Sequence, residues 1–213
     1  GGWNNTCSCS QPNLGPLAIA YFRSVSGTQA SPIHLKNYPG ENPAIGETMI
    51  EPYNRGLILQ ASNWWEVSGI EFKNISGDCF GVGGSDIKIW NLTVHDCARK
   101  DWDGNPAGIK FTGAMRGEVF NSTFYDTFSD PRMNGNPGGG SWFLRGAGIQ
   151  LFQGANITIH DNYFTNTKQG QDINGNYVGY ANCVMQKHAQ QYTNAFFVAY
   201  NNIFNNCRMA FGS

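Results

Sequence analysis

The sequence predicts an all-β solenoid, built from short strands that stack coil upon coil. Three observations predict it. The stretch Trp64–Asn74 (WWEVSGIEFKN) returns as Ile87–Cys97, Gly117–Thr127, Ile157–Thr167 and Phe197–Cys207. Laid over one another without gaps, the copies give apolar columns: Val67, Ile89, Val119, Ile159, Ala199, and then Phe72, Val94, Phe124, Phe164, Phe204. Successive members of the second column are 22, 30, 40 and 40 residues apart. Repeated strand pairs with inserts of varying length mark a solenoid.

Each copy reads as strand, bend, strand, with side chains alternating in and out. One copy alone cannot bury its inward Val, Ile and Phe residues. Stacking buries each against its equivalent above and below. A polar column, Asn74, Asp96, Asp126, Asn166, Asn206, lies two residues beyond the Phe column. Asn and Asp suit a repeated bend because they tolerate left-handed backbone angles. This column is expected to face the interior and to bond along the stack. The spacing of three and four that a helical bundle needs is absent.

The segment 1–25 is poorly patterned and is expected to be a first strand or a cap, with Leu17–Val25 its best strand; 26–213 is the solenoid domain. Ile33 and Leu35 lie on a strand that runs into a turn at Pro39–Gly40. Leu57 and Leu59 begin the next rung. A third strand per coil is predicted at Phe80–Val82, Ile109–Phe111, Ile149–Phe152 and Val184–Gln186. Its outward residues are Lys110, Gln150 and either Met185 or Lys187. The inserts Ala98–Ala107, Ser129–Ala147 and Lys168–Asn182 precede this strand, and His188–Asn194 follows it. They should therefore emerge along one edge, the usual binding face of a solenoid. Met209–Phe211 starts a further rung, giving six to seven coils. An uncovered end exposes strand edges, so the expectation is a longer polypeptide or a further chain capping the C-terminal end.

The pattern Ser26-Gly27-Thr28, Pro32-Ile33, Leu35-Lys36, Tyr38-Pro39-Gly40-Glu41, Pro43 and Ile45, followed by Leu57, Leu59, Ser62 and Trp64–Asn74, resembles the opening coils of secreted right-handed parallel β-helix proteins. Prominent among these are polysaccharide lyases of the pectate, alginate and chondroitin lyase kind. The resemblance runs from Ser26 through most of the chain. It implies a right-handed parallel β-helix, an extracellular or periplasmic location and an acidic glycan as substrate or ligand. The Asn-Gly-x-Glu calcium segment and Arg-Ile-Gly segment of the best-known alginate and chondroitin lyases are not recognisable in this sequence.

Charged residues make up 14% of the chain and the net charge is −1, so nothing points to a nucleic-acid partner. No apolar run has the length of a membrane span. No signal peptide is visible at Gly1: there was none, or it has been removed. Six cysteines permit disulfides. Cys79–Cys97 and Cys183–Cys207 are the preferred bridges, each pair bracketing one coil; the alternative is that Cys97 and Cys207 are reduced core residues. Cys7 and Cys9 are too close to pair with each other comfortably.

The chemistry-bearing residues gather, by deduced position, near the insert edge. Elimination from a uronate requires its carboxylate to be neutralised, so that the adjacent C–H is acidified, and a base to take that proton. Lys110 is the candidate base and His188 an alternative. Arg132 and Arg145 are candidate carboxylate partners. Asp101 and Asp103, in a Lys-Asp-Trp-Asp-Gly-Asn-Pro run, are candidate calcium ligands, although the same run is a good turn without metal. Gln150, Lys187, Trp102, Trp142 and Tyr177 are candidate substrate contacts. The plainer view of Lys110 is an outward strand lysine. A glycoside hydrolase would need two facing carboxylates, for which Asp103 and Asp130 are the pair. A non-catalytic adhesive, carbohydrate-binding or filament-forming module is the remaining alternative.

His95 and His160 are expected to be ordinary surface residues, away from the inserts. Asn-x-Ser/Thr triplets begin at Asn4, Asn74, Asn91, Asn121 and Asn156. Asn74 is expected to be too interior for a glycan, and Asn91 and Asn121, which share a bend, are suspect on the same ground.

Overall fold

A computed structural model describes residues 18–46, 55–75, 77–97, 107–114, 116–127, 145–153, 156–165, 170–171, 177–178, 180–187, 196–207 and 209–212. Three parallel sheets wrap one core. Sheet A holds β1 (Ala18–Arg23), β4 (Arg55–Gln60), β7 (Phe80–Gly83), β10 (Ala107–Thr112), β13 (Arg145–Phe152), β18 (Tyr180–Lys187) and β21 (Met209–Gly212). Sheet B holds β2 (Ile33–Lys36), β5 (Trp65–Ser68), β8 (Ile87–Trp90), β11 (Gly117–Phe120), β14 (Ile157–His160) and β19 (Phe197–Tyr200). Sheet C holds β3 (Ala44–Gly46), β6 (Glu71–Ile75), β9 (Thr93–Cys97), β12 (Thr123–Tyr125), β15 (Tyr163–Thr165) and β20 (Ile203–Asn205). A small antiparallel pair, β16 (Gly170–Gln171) and β17 (Tyr177–Val178), stands apart from the sheets.

The chain visits A, B and C in turn, then returns to A one strand-spacing further along. This is a right-handed parallel β-helix, the hand that parallel crossovers favour. The segment before residue 26 contributes β1, which pairs with β4 in register, Ala20 opposite Leu57.

The apolar columns lie in file. Phe72 faces Val94, Val94 faces Phe124, Phe124 faces Phe164 and Phe164 faces Phe204. The Val67, Ile89, Val119, Ile159, Ala199 column is equally continuous. The rings of Phe124 and Phe164 stack with centroids 4.8 Å apart, and those of Phe164 and Phe204 at 5.1 Å.

The polar column differs from expectation. Asn74, Asp96, Asp126 and Asn206 all have positive φ, between 50° and 54°. Their residue types therefore answer a backbone need, as anticipated, but Asn74 is only half-buried. The interior ladder is one bend earlier, at Ser122, Asn162 and Asn202. Asn162 donates through Nδ2 to the Val119 carbonyl at 2.9 Å, and its backbone N–H donates to Asn202 Oδ1 at 3.0 Å. Ser122 N–H donates to Asn162 Oδ1 at 3.0 Å. The residue just before each rung of this ladder is left-handed and points out. Asn121 is such a residue, and Asn91, before Leu92, is its equivalent one coil earlier; both are exposed, so burial does not argue against glycans there.

Disulfides join Cys79 to Cys97 and Cys183 to Cys207. Each ties the exit of a sheet C strand to the sheet A segment of the same coil, Cys79 just before β7 and Cys183 within β18. All four cysteines sit at the corner from which the inserts leave. Cys7 and Cys9 lie outside the described residues.

Candidate functional site

On sheet A the register sets Gly81, Lys110, Gln150 and Met185 side by side, one per coil. Their neighbours Ile109, Phe111, Ile149 and Leu151 fill the core, so this row points away from it. It is nevertheless buried: Lys110 is 9% exposed, Gln150 0% and Met185 1%. Met185 packs with Ala107 and Ala147 in a small apolar cluster outside the main core. Met185, and not Lys187, thus takes the row of Lys110 and Gln150; Lys187 lies in the next outward row, opposite Phe152.

Two residues before each inward apolar position runs another column: Arg55, Asp78, Ala107, Ala147 and Asn182. Asp78 is 3% exposed and accepts a hydrogen bond from Ala107 N–H at 3.0 Å. A carboxylate this buried needs cationic partners. Arg55 Nε lies 3.3 Å from it and Lys110 Nζ 3.8 Å. Lys110 Nζ is also 5.9 Å from the centre of the Phe152 ring, within the range of a cation–π contact. Arg55 and Asp78 were not among the expected site residues. Reading the position two before every third strand would have found both.

Gln150 is the unusual member. It is fully buried, yet among the described residues neither Oε1 nor Nε2 has a hydrogen-bond partner. Asn182 Oδ1 and Thr127 Oγ1 share this condition. A buried polar group left unpaired costs about 1–3 kcal/mol. An amide offering both a donor and an acceptor beside a lysine is a place where a polar ligand is worth most.

Lys110 and Gln150 are therefore brought together, with Lys187 one row away. Arg145 opens β13 and Tyr177 lies on β17, and only their backbones are described. Asp101, Trp102, Asp103, Asp130, Arg132, Trp142 and His188 lie outside the described residues. Among the described residues no group of three His, Cys, Asp or Glu gathers to hold a metal ion, and no helix is long and apolar enough to cross a membrane.

The histidines on the other two sheets are not plain surface residues. His95 is 8% exposed, with Nδ1 2.8 Å from Asp96 and Nε2 2.9 Å from Glu71. Its ring stacks on Tyr125 at 4.4 Å. His160 repeats the arrangement, with Nδ1 2.6 Å from Asp161 and Nε2 3.1 Å from Glu118, its ring held between Phe120 and Tyr200. One carboxylate of each pair is the next residue in sequence, but Glu71 and Glu118 come from a neighbouring rung, so the sequence neighbourhood of each histidine reveals only one of its partners. The Glu71 carboxyl is held below its ordinary value, chiefly by the bond to His95 against the opposing effect of burial, with help from Lys73. Burial pulls the His160 imidazole down, but the bonds to Asp161 and Glu118 outweigh it and hold the group above its usual 6.5.

The sign of the pH dependence follows. A histidine whose folded value is raised stabilises fully below its unfolded value and loses that contribution as pH rises through the folded one. Wild type should exceed a His160→Gln variant in melting temperature at pH ~5, and the gap should narrow by pH ~8. A gap that widens with pH contradicts the assigned ion pairs. Glu71 acts oppositely: its contribution is present above 4.5 and fades as pH falls through the lowered value.

The family model for the right handed beta helix region matches residues 45–212. No curated protein and no solved structure matches the chain. With the match spanning well over half of the sequence, and three parallel sheets stacked in register beneath it, the chain belongs to the right-handed β-helix family.

Proposed function

We propose that this β-helix is an extracellular carbohydrate-active protein that takes an acidic, uronate-bearing polysaccharide along the outward face of sheet A and cleaves it as a lyase. The observation that carries the reading is the pairing of Lys110 with Gln150. The two are adjacent and buried on a face directed away from the core, and the Gln150 amide has no partner among the described residues. The disulfides fit an oxidising compartment, which supports the extracellular part of the reading.

In the proposed reaction Lys110 acts as the neutral amine, with Arg55 left to pair Asp78, and removes the proton at C5 of the uronate. The electron pair forms the C4–C5 double bond, the C4–O bond breaks, and the departing glycosidic oxygen takes up a proton from water, while the proton taken from C5 stays on Lys110 until it is lost to solvent. Gln150 is fully buried, so the outward face must open to admit the polymer; its Nε2 then donates to a ring substituent while Oε1 accepts from a hydroxyl, and Lys187, in the next outward row, reaches toward a neighbouring sugar. Arg132 and Arg145 remain the candidate carboxylate partners and His188 the alternative base. Asp101 and Asp103 are the residues that would hold calcium, which when bound would neutralise the uronate carboxylate.

The test uses alginate, pectate and chondroitin, with and without calcium, followed by the ultraviolet absorbance of the new double bond and by binding. Lys110→Met should lose at least about 100-fold in rate, the usual contribution of a general base. Lys110→Arg keeps the positive charge and should bind the polymer while remaining equally slow. A Lys110→Met variant with an unchanged rate removes Lys110 from the chemistry. A wild-type protein that binds none of these polymers ends the proposal.

A second reading, a non-catalytic glycan-binding module, draws on the Arg55–Asp78–Lys110 group. Lys110 within 3.8 Å of Asp78 is also what a purely structural ion group looks like. Binding without any unsaturated product selects this reading.

A further inference from the structure

A cleft of about 300 Å³ lies at the corner where sheet A passes into sheet B, on a different side of the stack from Lys110 and Gln150. Its walls include Trp64, Glu66, Asp86, Lys88, Arg116 and Glu118, drawn from three successive coils. At one strand-spacing per coil these rows cover roughly 10 Å along the axis. The volume is at the lower end of small-ligand pockets, roughly 300–1,000 Å³.

Trp64 is the anomaly. Residues 64, 86, 116 and 156 occupy equivalent positions, one before the paired residues Trp65, Ile87, Gly117 and Ile157. The backbone is left-handed at Trp64 (φ 59°), Asp86 (φ 62°) and Asn156 (φ 56°). Asp and Asn tolerate this conformation, whereas a bulky side chain there is a genuine outlier. The stack imposes it: Trp64 N–H donates to the Ser85 carbonyl at 3.1 Å, and the Trp64 carbonyl accepts from Ile33 N–H at 2.9 Å. Packing does not demand the indole at this position. The core role belongs to its neighbour Trp65, which is 3% exposed, donates through Nε1 to the Val25 carbonyl at 2.7 Å and leans on Phe22. Both tryptophans border the cleft, Trp64 from a partly exposed position and Trp65 from the core side.

The polar lining is held in place. Arg116 grips Asp86 through two bonds of 2.7 and 2.8 Å. Glu66 lies 3.0 Å from His34, and Glu118 is shared between His160 at 3.1 Å and Lys88 at 3.6 Å. The three carboxylates outnumber the two full cations of the lining, Lys88 and Arg116, which makes the cleft unfavourable for an acidic ligand. Fixed carboxylates that accept hydroxyl protons, cations that donate at the rim and one aromatic face suit the polar edge and apolar face of a sugar ring.

We infer that this corner is a second glycan-binding site, selective for a neutral hexose ring stacked on Trp64, and that the left-handed tryptophan is retained for binding at the expense of stability. The inference is independent of the lyase reading, because it shares no residue with the sheet A face.

The experiment titrates wild type, Trp64→Asn, Trp64→Phe and Lys110→Met with cello-, manno- and malto-hexasaccharides by calorimetry, alongside melting temperatures. Wild type and Lys110→Met should bind at least one of the three alike. Trp64→Asn should bind that sugar about tenfold more weakly, the equivalent of one lost ring stack. It should also melt higher, by about 2–4 °C, as the strained position relaxes. Trp64→Phe keeps both the ring and the strain, so it should bind within a few-fold of wild type without melting higher. Absence of binding to all three sugars, equal binding by Trp64→Asn, or a lower melting temperature for Trp64→Asn each overturns the inference. Failure of Lys110→Met to cleave acidic glycans bears on the sheet A reading alone.

Discussion

Phe124→Ala is expected to lower the free energy of unfolding by about 3–5 kcal/mol, the range for deleting a buried aromatic ring from a close-packed core. Phe124 is fully buried and sits mid-column, with Val94 on one side and the stacked ring of Phe164 at 4.8 Å on the other. In a solenoid each coil touches only its neighbours, so collapse around the hole would have to shift both adjoining rungs at once. Their registers are pinned by the parallel hydrogen bonds of β12 with β9 and β15. Relaxation should therefore be small and the loss near the upper part of the range. Phe204→Ala is the matched control. Its ring is only partly buried and packs against the core from the last stacked rung, so its loss should be clearly smaller. Denaturant unfolding of the two variants checks this. Equal losses at the two positions would mean that the column is not a continuous stack.

The same column shows what the sequence makes legible. Period-two alternation within a copy assigns inside and outside, and copies that align without gaps assign the register. That is enough to place Phe72, Val94, Phe124, Phe164 and Phe204 in file, and to place Lys110 beside Gln150. Bends obey neither rule. At a left-handed residue the side-chain direction departs from strict alternation, so the Asn74 column was expected inside while the bonded ladder runs through Ser122, Asn162 and Asn202. Pairings between outward rows are hidden for a different reason. His95 meets Glu71, and His160 meets Glu118, across a rung, 24 and 42 residues away. The apolar columns predict those juxtapositions only when the outward columns are read with equal care. Arg55 and Asp78 escaped for the same reason. The inserts carry no period at all, and the expectations placed on Asp101, Asp103, Arg132 and Trp142 rested on edge position alone.

Trp64 and Gln150 depart from local rules in opposite ways. One places a bulky residue where the backbone favours Asn or Asp; the other buries an amide with no partner among the described residues. A consistent sequence avoids both, and departures of this kind concentrate where a protein works. Neither position is a loop. Both lie on or beside strands whose registers the stack enforces, so a ligand would meet groups held in place by neighbouring coils.

Removing the Cys79–Cys97 bridge by a Cys79→Ser, Cys97→Ser double substitution should cost about 3 kcal/mol, from the chain entropy that the crosslink withholds from the unfolded state. The bridge closes a separation of 18 residues with Cα atoms 5.7 Å apart, and Cys183–Cys207 closes 24. At this chain length the corresponding fall in melting temperature is roughly 6–12 °C. The first of the two coils between the bridged ones shows what the corner does without a crosslink. There Gly108 takes the place of Cys79 and Thr127 that of Cys97, and a Cβ built on Gly108 would come within 2.9 Å of Val94 and 3.3 Å of Thr127. That coil is close-packed at the corner through the absence of a side chain, and it keeps its register through β10 pairing with β7 and β13. The disulfides should therefore act on the unfolded chain more than on native geometry. Two results follow together: the double substitution lowers stability, yet leaves hydrogen-exchange protection of β10 and β13 amides unchanged relative to the global value. If those amides lose protection selectively, the bridge instead holds the insert edge in shape, and the Lys110–Gln150 face depends on it directly.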